Sequence, residues 1–338
     1  MCICLCNLSA DKALELIAQR GLEVTTATPD PCGFTADPVK ARECLGALSE
    51  KLPKPIDLLV GDTNRRRTGL GIACHVWRGS LPKDAILALN EDVYVSAPEF
   101  TLLQQSSQLH QAVLCQMLGR YLGTWTPSEN RPNGLEERAP LTTFDSLNEF
   151  LSEVGAARGT RNLRMAMEYT CDGAASAQET SLQLALSLPL ELHGMGLVRP
   201  VMNYEVELSN AARRLYSHDS IRIDLCWRQA RFGLEYQGQD HGMQLGDDYA
   251  RWYAAHEERY DLWYVAKEQL ENAVQMRYIG CEVAKRIGLD TNDLALPTEG
   301  ELQDLLDILA GRKHPRPLSR GEQRRRRVEF KARCRGAK

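Results

Sequence analysis

The chain has 338 residues, 43% of them hydrophobic and 25% charged, with a net charge of −4. That composition suits about two folded domains with sizeable cores and excludes a disordered chain. No run approaches the ~18 apolar residues of a membrane span, and the negative balance argues against a protein that coats nucleic acid over its whole surface.

The opening MCICLCNLSADKALE has no basic n-region and only a short apolar part, so no export signal is expected. The eleven cysteines, an odd number without a framework, are then expected as free thiols in a reducing cytoplasm. Cys2, Cys4 and Cys6 have two readings. One is a soft-metal site, for which no matching Cys/His pair follows; the other is a strand that turns alternate thiols inward. Periodicity predicts helices over 8–22 and 37–51 and strands over 55–61, 70–77 and 93–95. Arg65, Arg66 and Arg67 form a basic turn that either touches nucleic acid or is solvated. Ser96-Ala-Pro-Glu99 caps a helix running to about Gly119. Pro127, Asn130, Pro132, Asn133 and Pro140 mark 124–142 as a linker. Residues 144–170 return to helical character, with Arg158, Arg161 and Arg164 as a basic face.

Ser176-Ala-Gln-Glu179 is a capping-box pattern that predicts a helix over 177–188, ended by Pro189. Its leucines at 182, 184, 186 and 188 also fit a strand. Strands follow at 203–208, 220–227 and 231–237, each with a period-two apolar face. A helix at 247–258, a strand at 260–265 and a helix at 268–287, ended by Gly288, complete the order. Residues 312–338 carry twelve Lys and Arg against two Glu, a +10 tail that leaves −14 on the rest. It reads as disordered or frayed. It either contacts phosphates or folds back onto the acidic body.

The chemistry concentrates at 222–251. Asp224 sits in the first strand of a pair, and Glu235 and Gln237 end the second, separated by a polar break at Arg228-Gln229. Residues two apart share a strand face, and antiparallel pairing brings Asp224 beside them. An Asp between Ile223 and Leu225 needs a partner or a metal. Two carboxylates and an amide at a sheet edge make a hard-oxygen site for Mg²⁺ or Mn²⁺, and such an ion suits phosphodiester hydrolysis. Gln237 also has a plainer reading, opening the turn at Gly238. With Mn²⁺ supplied, an ion between Asp224 and Glu235 would settle the site, and a salt bridge from either carboxylate to a Lys or Arg would sink it.

The spacing Asp, ten residues, Glu-x-Gln resembles the metal-binding signature of PD-(D/E)XK nucleases. More narrowly, Glu-Tyr-Gln-Gly followed by His241, Asp248 and Arg251 resembles the domain related to very-short-patch-repair endonucleases. Members there usually read Glu-x-Asp-Gly, His, Asp-x-x-Arg; this chain has Gln237 where that branch has Asp and the wider superfamily Lys. The resemblance covers roughly 160–288. It implies Asp224 and Glu235 as metal ligands with Glu179 as a first acidic ligand, although capping alone also explains Glu179. It implies Gln237 as a water-positioning group, and His241 as a proton-transfer group. Asp247 competes with Asp248 for the acidic position, and Asp248 with Arg251 also reads as an intrahelical ion pair. Residues 55–123, with Val-Ser-x-Pro-Glu, resemble the central domain of AbiEi-type abortive-infection proteins, antitoxins of type IV toxin–antitoxin systems.

The expectation is therefore a mixed α/β protein: an α+β domain at 1–123, a linker at 124–142, a nuclease-like α-β-β-β-α-β-α core at 143–290 and a basic extension at 291–338. It would be cytoplasmic, off the membrane, Mg²⁺-dependent and directed at DNA through Arg251 and Arg324, Arg325, Arg326 and Arg327, with a cognate toxin as a second partner. The runner-up is a catalytically silent nucleic-acid-binding antitoxin or transcriptional regulator built on the same fold.

Overall fold

The computed structural model describes residues 2–66, 69, 71–128, 131, 134–238, 245–291, 294–317, 321–322, 325 and 328, without the side chains of 245 and 247. Arg67, His241, Arg324, Arg326 and Arg327, and the side chain of Asp247, lie outside the described residues. Among the described residues the fold is mixed α/β with three sheets. No described helix is long and apolar enough to cross a membrane. The chain forms two compact units: residues 1–109 with 126–164, and 110–125 with 165–338. The boundaries expected at 123, 142 and 290 are not the boundaries between these units.

The first unit contains β1 (Ile3–Leu5), α1 (Asn7–Arg20), β2 (Thr25–Ala27), α2 (Pro38–Leu45), α3 (Leu48–Lys51), β3 (Ile56–Val60), β4 (Ile72–Val76), β5 (Ile86–Ala88), β6 (Val93–Ser96) and α4 (Pro98–Ser106). Its six strands lie in the order β2-β5-β6-β1-β3-β4. β1 pairs parallel with β6 and antiparallel with β3, and its three residues are fully buried. Cys4 and Cys6 are buried there, and their thiols are free. Of the three, Cys4 lies in the strand, Cys2 makes an isolated bridge to Phe34, and Cys6 is the N-cap of α1. The helix expected from Pro98 to Gly119 is interrupted. His110 caps a new helix, α5 (Gln111–Leu122), with Nδ1 accepting the Ala112 N–H, and α5 belongs to the second unit. The expected linker carries two short paired strands, β7 (Trp125–Pro127) and β8 (Leu135–Glu137). After them come α6 (Phe144–Val154), capped by Thr143, and α7 (Thr160–Tyr169).

The second unit continues with α8 (Ala177–Ser187), β9 (Val201–Glu207), α9 (Asn210–Tyr216), β10 (Ser220–Trp227), β11 (Phe232–Gln237), α10 (Leu245–Glu257), β12 (Asp261–Ala266), α11 (Lys267–Leu270), α12 (Ala273–Arg286) and α13 (Glu299–Leu309). α8 is buried from Glu179 to Ser187. A helix enclosed on all sides needs no polar stripe, which is why its leucines show no 3.6 period. The sheet runs β12-β11-β10-β9. β9, β10 and β11 are antiparallel neighbours, and β12 is parallel to β11. The polar break between β10 and β11 is a 3₁₀ turn, Arg228–Ala230, left through Arg231 at φ 49. Gly233 has no room for a side chain: a Cβ would meet Ile223 Cγ2 at 2.4 Å. Ile221 and Ile223 pack with Ala254, Ala255 and Leu262, fixing α10 over the sheet. Each such aliphatic side chain contributes about 1.5–3 kcal/mol when buried. α9 was not expected, and the expected helix 268–287 is two helices, the second capped by Asn272.

Candidate active site

The β10–β11 ladder pairs Trp227 with Phe232, Cys226 with Gly233 and Leu225 with Leu234. One residue further, a side chain takes over: Asp224 Oδ2 accepts the Tyr236 N–H at 2.8 Å. Glu235 is buried, and its Oε1 accepts from Arg251 Nη2 of α10 at 2.9 Å. Arg251 Nη2 also donates to the Arg222 carbonyl. The guanidinium thus reaches across to the sheet instead of along its own helix to Asp248. Asp248 Oδ2 instead accepts from Gln237 Nε2 at 3.4 Å.

Glu179 comes from α8. Ser176 Oγ accepts the Glu179 N–H at 3.1 Å, the forward half of a capping box. The return half differs from expectation. Glu179 Oε2 accepts from Ala175 N at 2.8 Å and from Asn203 Nδ2 at 2.7 Å. Asn203 sits on β9 with φ 47, a left-handed conformation that Asn tolerates better than most residues. Its amide also donates to the Gly173 carbonyl. Asn203 is a site residue that sequence reasoning missed, because nothing local distinguishes it from the polar residues around it.

The three carboxylates feel one another. Burial pushes Asp224 up to about 7, and the negative charge of Glu179 adds to the rise; the Tyr236 N–H and Arg251 oppose it. Burial also lifts Glu235 well above the ordinary carboxylate range, with Asp224 adding and Arg251 opposing. Burial raises Glu179 against its three hydrogen bonds. Among the described residues, Arg251 is the one guanidinium that opposes the rise at Asp224 and Glu235. Its own engagement is partial, since Arg251 Nε is buried with no hydrogen-bond partner among the described residues.

The hard-oxygen donors suit a divalent cation of the Mg²⁺ class, which takes one or two carboxylates and completes its shell with water and phosphate oxygens. Two observations stand on the other side. Glu235 has the Arg ion pair that counts against a metal, and among the described residues no group of three or more His, Cys, Asp or Glu is arranged to hold an ion. Of the other expected contacts, Arg325 is exposed. Arg65 is tied to the Phe34 carbonyl at 3.2 Å, and Arg164 to that of Leu151 at 3.4 Å. Comparison with known proteins returns nothing: no family model, no curated protein and no solved structure matches the chain.

Proposed function

We propose that the second unit is a metal-dependent phosphodiester hydrolase acting on DNA, of the PD-(D/E)XK kind. The carrying observation is the convergence of three carboxylates, Glu179 and Glu235 buried and Asp224 half-buried, with Arg251 the one guanidinium paired to them among the described residues. If a cation drew off their protons, three ionised acids against one guanidinium would leave a deficit equal to one divalent cation. The order helix, three antiparallel strands, helix, parallel strand, helix supports the same reading, with α9 as an insertion.

Asp224 and Glu235 would hold the ion, with Glu179 behind them. When bound, such an ion polarises a phosphoryl oxygen and lowers the pKa of water. The remaining work falls to the chain. Arg251, released from Glu235, turns its charge toward phosphate. Gln237, beyond Glu235 on the same strand, orients the attacking water through its amide. The AbiEi likeness of 55–123 adds a setting, bacterial phage defence or a toxin–antitoxin pair with a cognate toxin.

The ion pair itself favours a second reading, a catalytically silent nucleic-acid-binding antitoxin in which Arg251 permanently replaces the cation. Titration of the purified protein with Mn²⁺, followed by calorimetry, separates the two. Binding that disappears in the Asp224→Asn, Glu235→Gln double variant, together with Mg²⁺-dependent cleavage of single-stranded or plasmid DNA that the same variant lacks, supports the hydrolase. No Mn²⁺ binding above pH 8, where the acids are most ionised, sinks it.

A further inference from the structure

Beside the carboxylates lies a cavity of about 330 Å³ lined by Gln237, Asp248, Tyr249, Trp252, Tyr253 and Tyr264. Three of its walls come from one helix. Tyr249, Trp252 and Tyr253 stand three and four residues apart on α10 and so share a face. Ala254 and Ala255 supply that helix's fully buried residues, yet Tyr249 is 62% and Tyr253 54% exposed. Large aromatic rings left in water beside a concavity are the mark of a surface that something covers. Trp252, Tyr253 and Tyr264 are also held in place. Trp252 stacks on His256 at 5.4 Å with planes 7° apart, and Tyr253 stands against Trp252 at 77°. The Tyr264 hydroxyl donates to the Asp248 carbonyl at 3.2 Å, fixing the fourth ring. A flat ligand can lie on one ring and meet the edge of the next without freezing mobile side chains.

The polar part of the wall says what kind of flat ligand. Gln237 and Asp248 contribute an amide and a carboxylate, whose oxygens accept from the amino groups and ring N–H of a nucleobase. The location gives the connection. Gln237 is two residues past Glu235 on β11, about 7 Å along the strand, and Tyr264 is the register partner of Glu235 on β12. A base in this cavity would hang from a backbone whose phosphate lies at the carboxylates.

We infer that the cavity on α10 binds one unstacked nucleobase, so that the substrate is single-stranded DNA or a strand with an extruded base, and not an intact duplex. The inference rests on the hydrolase reading for its direction along the chain of the ligand. The occupant itself follows from the aromatic walls and their acceptors. Stacking on aromatic rings is how proteins hold bases in single strands and flipped nucleotides.

The test uses the full-length protein in EDTA, a short single-stranded DNA oligonucleotide carrying 2-aminopurine, and its duplex. The expected result is tighter binding of the single strand, with the 2-aminopurine emission quenched by stacking. In Tyr249→Ala, Tyr253→Ala the affinity should fall about tenfold or more and the quenching should vanish, since a stacked base loses ~1–3 kcal/mol when its ring is removed. The slope of log K against log salt should not change, because the variant keeps every charge that meets a phosphate. Both tyrosines are exposed, so the variant is expected to fold, which circular dichroism checks. Unchanged affinity and quenching in the variant, or capture of a trimethyl-lysine peptide in place of the oligonucleotide, overturns the base site. Mn²⁺ binding, measured on the same proteins, keeps the two ideas apart. Mn²⁺ binding without stacking leaves the hydrolase and removes the base site; stacking without Mn²⁺ binding does the reverse.

Discussion

At the residue scale the site is a problem in charge. Asp224 rises to about 7 from an ordinary 3.8, and burial is the main cause. The folded state then holds that proton more tightly than the unfolded chain does. The stabilisation is complete below pH 4 and is lost as pH climbs through 7, at about 1.4 kcal/mol for each tenfold gain in proton affinity. Glu235 and Glu179 push the same way. Thermal melts should therefore show the protein losing stability from pH 5 to pH 8, less steeply in Asp224→Asn; a steeper loss in the variant would remove Asp224 as a source. Mn²⁺ at a hundred times its Kd should restore about 2.7 kcal/mol at pH 8, and none in the Asp224→Asn, Glu235→Gln double variant. Arg251→Ala has the opposite sign to a gain of metal: it leaves Glu235, whose side chain is only 6% exposed, without its partner. A loss of about 2–3 kcal/mol in urea melts is expected, below the full cost of breaking a buried pair because Arg251 reaches water. Unchanged stability would mean that Glu235 is protonated in the fold and never needed the guanidinium. Gln237→Lys should raise nicking activity in a weak enzyme and leave a silent scaffold unaffected.

At the scale of elements, much was legible. β10 and β11 follow from alternating Ile221, Ile223, Leu225 and Phe232, Leu234, and their antiparallel pairing brings Asp224 and Glu235 into each other's field. The Ser176 cap was legible too, because it is a contact over three residues. Arg251 and Glu235 are sixteen residues apart, and no spacing rule links them; the helical i, i+3 rule pointed instead to Asp248. The aromatic face of α10 could have been found from that same rule applied to Tyr249, Trp252 and Tyr253. α9 was hidden because its seven residues make only about two helical turns, too short a stretch to show a period. Helix packing offers its own test. A Cβ on Gly119 of α5 would stand 2.4 Å from Thr180 Cγ2 of α8. Gly119→Ala should destabilise by about 1–3 kcal/mol through overpacking. Adding Thr180→Ala should recover most of that in chemical melts, and failure to recover would show that the helices are not held at this distance.

At the scale of the whole molecule, the basic end is tied down where it begins. Arg312 pairs with Asp307 at 3.0 Å and with Glu271 at 3.4 Å, while Lys313 reaches Asp304 and Asp307. Val328 is 61% exposed. Removing 318–338 should therefore leave the melting temperature unchanged and weaken DNA binding, with the salt slope shallower by about 0.9 for each phosphate that the deleted charges had neutralised. An unchanged slope would mean that those charges neutralise the acidic body. Removing 312–338 also deletes exposed ion pairs, which are worth little singly, so a large drop in melting temperature in that variant alone would show α13 depending on them. The interleaving of the two units bears on how the chain is made. α5 buries Leu114, Cys115, Leu118 and Tyr121, and it packs on α8 and α13. On the ribosome, α5 emerges while those partners are still unsynthesised. For as long as translation takes to pass residues 126–176, its apolar face has no native surface to cover it. The nascent chain then exposes that face to aggregation and to chaperones, and a pause in that stretch would prolong the exposure.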